Sequence, residues 1–333
     1  MFNKKNEYKK KIMEQIRQYQ HTDNMHAQLS DIFRYWQEKY FRERFREVCE
    51  VNNHLEFYWK PFAKRIQQTG CHNLISFGCG DAQVETGVAT GLKKEGIDDF
   101  RFHCVELSPA QIKRARDFVE KAGLAKNFVF IEGDFNVWEP NGQLFAGAMC
   151  HHALHHVLEL EHLIAAIRSA LHPQGCFVCI DVIGRNGHMR WPEALEITEM
   201  IWRMLPEEKR YHHILKRLDK EYVNHDCSTE GFEGVRSQDI LPILTQNFKF
   251  EKFLAFGNLV DVFTSRGFGA NFDSNNELDM AFIDFVQYLN DLLIDLGHIK
   301  PTRMCAIMVL ENENPTKTYK HWTPEFCIRK PEC

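Results

Sequence analysis

Between about residue 70 and residue 183 the chain alternates short apolar runs with helical stretches, and this alternation constrains the fold more than any other feature. The runs are NLISFG, FRFHCVE, NFVFIE, LFAGAMC and CFVCIDVI, with helices starting near Asp81, Pro109 and Glu159. Strands separated by helical crossovers predict a mostly parallel sheet with helices on both faces, because parallel neighbours cannot be joined by a tight turn. The second helix is well marked. Ser108 can cap it, Pro109 takes its first position, Ile112, Ala115, Phe118 and Ala122 form its apolar stripe, and Gly123 ends it. The strand before it must therefore end near Glu106.

The flanks of this core have a different texture. Residues 1–68 carry helical spacing, with Leu29, Ile32, Phe33, Trp36 and Tyr40 on one face, and are expected to form a helical cap. Within them, Glu38, Glu43 and Glu47 offset the basic residues of FRYWQEKYFRERFREV, which favours an amphipathic packing helix over an RNA-binding one. Residues 69–183 are the α/β core, and 184–246 read as a helical insertion over the site. Residues 247–333 return to the core through the strand-like FKFEKFLAFG and MCAIMVL, separated by the helix MAFIDFVQYLNDLLIDLG. Counting these last two strands, the sheet is expected to be seven-stranded.

Composition narrows the function classes. A net charge of −5 in 333 residues gives no bulk attraction to nucleic acid or anionic lipid, and the one basic run, Asn3 to Lys11, fits a solvated helix end. No apolar stretch approaches the roughly 20 residues of a membrane span, so a cytoplasmic protein is expected. The eleven cysteines are scattered and many lie in apolar runs, which fits free thiols in a reducing compartment. Cys176 and Cys179 form a CxxC inside a strand-like run, where their side chains point to opposite faces and make a poor metal or redox pair.

The chemistry-bearing motif is FGCGD, Phe77 to Asp81, between the first strand and its helix. Glycines there let a ligand approach the backbone, and the helix N-terminus faces it. A dinucleotide fingerprint fails, because its third glycine position holds Gln83. Glu106, at the end of the second strand, can accept from ribose hydroxyls, and Asp134 with Phe135, after the third, can receive an adenine amine and ring. Glycine, acid and acid at three successive strand ends describe an adenosine site.

With these motifs the sequence resembles the class I S-adenosylmethionine-dependent methyltransferases over residues 70–183. FGCGD resembles the family's glycine-rich motif, VELSPAQIKRAR its ribose motif and EGDF its adenine motif, and the chain from Met149 to Asp181 resembles its fourth-strand loop, helix and turn into strand five. The resemblance implies a Rossmann-like fold, S-adenosyl-L-methionine as cofactor, and a cofactor site built from Gly78, Gly80, Asp81, Glu106, Leu107, Asp134, Phe135, Cys150 and His151. It does not carry over a substrate.

The segment HHALHHVLELEH, His151 to His162, holds five histidines in twelve residues. Histidine can take a proton near neutral pH, so His155 or His156 is the candidate base, with Asp181 at the end of strand five as the third catalytic candidate. The pairs His152/His156 and His151/His155 could share a helical face and offer two metal ligands. Catalytic zinc normally takes three, so no metal is expected. Arg185, Arg190 and Trp191 are the substrate-binding candidates, because guanidinium pairs with anions and indole stacks. The expected reaction is methyl transfer to an oxygen or nitrogen of a small molecule by in-line displacement, with the small-molecule substrate and a second copy in a homodimer as partners. The competing readings are a non-catalytic cofactor-binding scaffold, a nucleic-acid or protein methyltransferase, and a nicotinamide-dependent oxidoreductase.

Overall fold

The five apolar runs form β1 (Asn73–Phe77), β2 (Arg101–Glu106), β3 (Phe128–Glu132), β4 (Phe145–His151) and β5 (Leu171–Val182) in a computed structural model that describes residues 2–20, 29–229 and 231–330. A small hairpin, β6 (Tyr211–His212) and β7 (Arg217–Leu218), precedes β8 (Lys249–Phe256), β9 (Arg303–Val309) and β10 (Lys317–Thr318). The main sheet has the order β10-β8-β9-β5-β4-β1-β2-β3. It is eight-stranded rather than seven, because the two-residue β10 adds to β8 in parallel at one edge. Only β9 runs antiparallel to its neighbours, β5 and β8. The strand order reverses between β1 and its two neighbours, β4 and β2, which opens a crevice beyond their carboxyl ends.

The helices are α1 (Phe2–Gln20), α2 (Asp31–Trp36), α3 (Arg42–Cys49), α4 (His54–Thr69), α5 (Gln83–Lys94), α6 (Pro109–Lys121), α7 (Leu160–Ala170), α8 (Pro192–Met204), α9 (Ser237–Asn247), α10 (Leu259–Thr264), α11 (Glu277–Asp295) and α12 (Pro324–Cys327). The α6 end signals act as read, since the Ser108 hydroxyl accepts from the Gln111 N–H at 3.4 Å and Gly123 follows the helix at φ +70°, but the buried stripe is Ile112, Ala115 and Val119, with Phe118 and Ala122 exposed. The described cysteines are free thiols. Among the described residues no helix is long and apolar enough to cross a membrane.

Residues 1–68 do not form one cap. α4 packs on α5, β4 and β5 as part of the core, and two glycines on α5 permit the close contact. A Cβ on Gly91 would stand 2.3 Å from Cδ1 of Trp59, and one on Gly87 would stand 2.7 Å from Cδ2 of Leu55. α2 and α3 are joined by a π-helical turn at Gln37–Phe41, and Trp36, Phe41 and Phe45 pack with Phe256 of β8 in an aromatic cluster. Among the described residues of this stretch, α1 reaches over the crevice, where Tyr8 meets Asp134 and Gln15 meets His156. The 184–246 insertion divides in the same way, since α9 packs beside α7 at the sheet while the loops before it face the crevice. Hydrophobic burial explains both outcomes, because an amphipathic helix gains most by placing its apolar stripe on the sheet.

Behind the glycine loop, Glu85 is buried and its carboxyl accepts from the Ser76 hydroxyl at 2.7 Å. Burial raises its pKa from 4.5 to about 7, against the lowering effect of Ser76. The folded chain thus favours the neutral acid. Its contribution to stability is complete below about 4.5 and is lost as pH rises through about 7. Glu85→Gln should stabilise the protein at pH 8 by about 3 kcal/mol, with the gain shrinking towards pH 5. Thermal unfolding of both proteins across that range checks this, and a pH-independent difference contradicts it.

Candidate active site

The register aligns Phe77 with Val105 and Cys150, and Glu106 with Glu132, so the ends of β1, β2, β3 and β4 stand side by side at the crevice. Gly78 turns the chain out of β1 at φ +72° and donates its N–H to the Val105 carbonyl at 2.9 Å. A Cβ there would lie 2.8 Å from Cβ of Ala153, so the glycine loop presses directly on the loop after β4. Glu106 accepts from the Gly80 N–H at 3.0 Å and from the Ser108 N–H at 2.8 Å, which fixes its carboxylate beside the turn. Burial raises its pKa against the pull of these N–H groups. Asp81 binds its own helix start through the Gln83 amide, and Leu107 is half-buried in the turn after β2.

Asp134 accepts from the backbone and side-chain amides of Asn136, each at 2.9 Å, and the Tyr8 hydroxyl of α1 donates to its other oxygen. Burial and the Asp134 carboxylate push the Tyr8 phenol well above its ordinary pKa. Phe135 is buried near Gly78. Cys150 keeps its thiol in the core, and its carbonyl accepts from the Tyr58 hydroxyl at 3.2 Å, while His151 Nδ1 lies 3.0 Å from the same hydroxyl.

Next to the glycine turn lies a histidine–carboxylate cluster. Asp181, fully buried at the end of β5, accepts through Oδ2 from the N–H groups of Ala153 and Leu154 and through Oδ1 from Val182 N–H. The same Oδ1 lies 2.5 Å from His155 Nδ1. His155 Nε2 then stands 3.6 Å from Glu233, whose carboxylate also takes His188 Nε2 at 2.7 Å and has His156 Nε2 at 3.7 Å. Backbone bonds bring these loops together: Val235 N–H donates to the His155 carbonyl at 3.0 Å and Gly187 N–H to the Gly234 carbonyl at 2.9 Å. On the roof side, Gln15 of α1 accepts from Phe232 N–H through Oε1, which turns its Nε2 to His156 Nδ1 at 3.3 Å.

The two histidines proposed as base are electrostatically opposite. Burial alone would lower His155, but Asp181 and Glu233 outweigh it and raise its pKa to about 10, so it carries charge at neutral pH. Burial and the neighbouring His155 push His156 down to about 3, so it is neutral. Burial opposes ionisation of Asp181 and Glu233 as well, yet the histidines hold both well below the usual carboxylate range.

Several sequence expectations need correction. His151 ends β4, His152 sits at φ +53°, and Leu154–His156 is a single 3-10 turn, so neither i,i+4 histidine pair shares a helical face. Asp181 demands two adjacent N–H groups, and that tight turn supplies them. Arg190 does not present a fork to a ligand: its guanidinium donates to the carbonyls of Asn258 at 2.8 Å and His188 at 3.4 Å, clamping the loop. Arg185 donates to the Arg190 carbonyl, and the guanidiniums of Arg185 and Arg329 both lie over the Trp191 ring, at 5.5 and 4.4 Å from its centroid. These three hold the loop after β5. Glu233 and Tyr8 were not among the expected site residues; the first lies in the 184–246 segment expected over the site, while nothing local marked the second.

Residues 75–175 match the family model of a methyltransferase domain. No curated protein matches the chain. Among solved structures, an O-methyltransferase from a trans-AT PKS multienzyme of Brevibacillus brevis, in complex with S-adenosyl-L-homocysteine, is similar at 12% identity over 82% of this chain and 76% of that one, with a TM-score of 0.42. The cyclase SpnF is similar at 15% identity over 74% of this chain and 78% of that one, TM-score 0.41. A methyltransferase from Clostridium acetobutylicum shares 14% identity over 44% of this chain and 61% of that one, TM-score 0.30. None of these distant likenesses speaks to the acceptor.

Asp181→Asn keeps the shape but removes the charge shared by three backbone N–H groups and His155. It should destabilise the fold by about 3 kcal/mol, read as a lowered urea midpoint at unchanged slope. An unshifted midpoint would show that the anchor is dispensable.

Proposed function

We propose that the chain, whose residues 75–175 match a methyltransferase domain, is a class I S-adenosylmethionine-dependent methyltransferase that transfers the methyl group to an oxygen or nitrogen of a small molecule bound beside Glu233 and His188. The observation that carries this reading is the roofed histidine–carboxylate cluster at the ends of β4 and β5, next to the glycine turn. α1 closes over it through Gln15 and over Asp134 through Tyr8, which suits an acceptor small enough to lie beneath a helix.

S-Adenosylmethionine, when bound, supplies a methyl group on a sulfonium, already a good leaving group. The turn at Gly78, Gly80 and Asp81 gives its methionine part a close approach to backbone. Glu106 has lone pairs left for ribose hydroxyls beside its two N–H partners, and Leu107, Asp134 and Phe135 receive the adenine. Cys150 and His151 form the wall below, held in place by Tyr58. This set fits the cofactor because the glycine turn and the two acids stand at adjacent strand ends in one crevice.

Within the cluster, exposure separates the roles. The side chains of His155 and Asp181 are 6% and 0% exposed, whereas those of His188 and Glu233 are 25% and 28% exposed. The acceptor therefore meets Glu233 and His188, and His155 with Asp181 positions them. As the heteroatom approaches the methyl carbon in line, its O–H or N–H donates to the ionised Glu233, which turns a lone pair towards the methyl group, and the proton leaves to solvent through this quarter-exposed side.

Incubation with methyl-labelled S-adenosylmethionine and pools of hydroxyl- and amino-bearing metabolites should place label on a small product and release S-adenosylhomocysteine. Glu233→Gln should lower kcat by about 100-fold or more while cofactor affinity stays within about threefold. Label recovered only in RNA or protein would overturn the small-molecule reading.

A further inference from the structure

We propose that His155, His188 and Glu233 form a binding site for a divalent first-row transition-metal ion, Zn2+ foremost. Nitrogen atoms of both imidazoles and a carboxylate oxygen of Glu233 lie within 4.8 Å of one another. Tetrahedral coordination at Zn–N distances of about 2.0–2.1 Å requires ligand atoms about 3.3 Å apart. The observed separations from the Glu233 oxygen are 2.7 Å to His188 and 3.6 Å to His155, on either side of that value, so small rotations suffice once the ion displaces the Nε2 protons, that of charged His155 included, to solvent.

The surroundings support the same reading. A metal-ligating histidine commonly gives its second ring nitrogen to a carboxylate, which fixes the tautomer and the ring direction. His155 has this arrangement: Nδ1 is on Asp181, itself held by three backbone N–H groups, and Nε2 faces Glu233. His188 is held at φ +57°, a conformation that side chains rarely adopt, with its ring directed at Glu233. Such strain is retained where the surrounding structure enforces it. Here it is enforced by the Gly187–Gly234 and Val235–His155 backbone bonds, which set the three ligands before any ion arrives.

Two histidines and one carboxylate leave one coordination position open in a tetrahedral shell and two when it expands to five. This deepens the methyl-transfer reading and rests on it for its role: the acceptor is a hydroxyl flanked by a carbonyl or carboxylate oxygen, a pair of donors suited to the ion. A bound ion would lower the pKa of the hydroxyl, whose proton would leave to solvent through the exposed side of Glu233. The hydroxyl oxygen then forms the O–CH3 bond as the S–CH3 bond breaks, with that electron pair remaining on sulfur to give S-adenosylhomocysteine.

The test is a Co2+ titration of chelator-dialysed protein, followed by visible ligand-field absorption and then by Zn2+ competition. Absorption saturating at one ion per chain, displaced by Zn2+, is the expected result. His188→Ala and Glu233→Gln should each abolish it while retaining the melting-temperature rise with S-adenosylhomocysteine, which shows that both variants fold. Absent absorption, or variants that bind Co2+ like the parent, overturns the site. Methyl transfer at full rate in protein that binds no Co2+ removes the ion and leaves the transfer reading intact. One-to-one binding in protein that methylates no small molecule supports the site and removes the transfer reading.

Discussion

The buried carboxylate of Asp181 holds the candidate site together. It occupies the end of β5 with no solvent exposure, where an unpaired charge would cost several kcal/mol, and its surroundings offset that cost with three backbone N–H groups and His155. These bonds tie the loop after β4 to the end of β5. They fold Leu154–His156 into one tight turn and point His155 Nε2 outward. The positions of Glu233 and His188 follow, because the loops that carry them are bonded to His155 and to each other through the backbone. One charge at a strand end thus sets the geometry of residues from three separate stretches of chain.

The roof shows a second dependence. Tyr8 and Gln15 stand seven residues apart on α1, about two turns, so they present on the same side of the helix. One meets Asp134 at the end of β3 and the other meets His156 beside the acceptor cluster. A single rigid helix therefore spans both halves of the proposed site. Glu14 and Gln15 also accept the N–H groups of Gly231 and Phe232, so the seating of α1 and the position of the Glu233 loop are coupled.

Local signals were read reliably where the interaction is local. Ser108 caps α6, Gly78 turns out of β1, and Glu106 stands where the end of β2 was expected, because each depends on neighbours a few residues away. The histidine segment was misread for the opposite reason. Its spacing fits a helix face, yet its conformation is set by Asp181, 26 residues beyond His155. The arginines after β5 likewise carry charges suited to a ligand, but carbonyls of Asn258 and His188 hold Arg190. Residue 68 was an expected boundary for the cap, and α4 crosses into the core because Trp59 and Leu55 meet two glycines that only the packed pair reveals.

By itself, the sequence determined the alternation of strand and helix, the mostly parallel sheet that follows from it, and the glycine and two acids at the ends of β1 to β3. Those features arise from periodicity and turn chemistry, which are written in adjacent residues. Only the tertiary structure decided that α1 reaches over the crevice while α4 joins the core, that His155 and His156 differ in charge, and that His155, His188 and Glu233 converge. The last three groups are joined by loop closure and by burial against Asp181, and neither leaves a spacing in the chain that local chemistry could reveal.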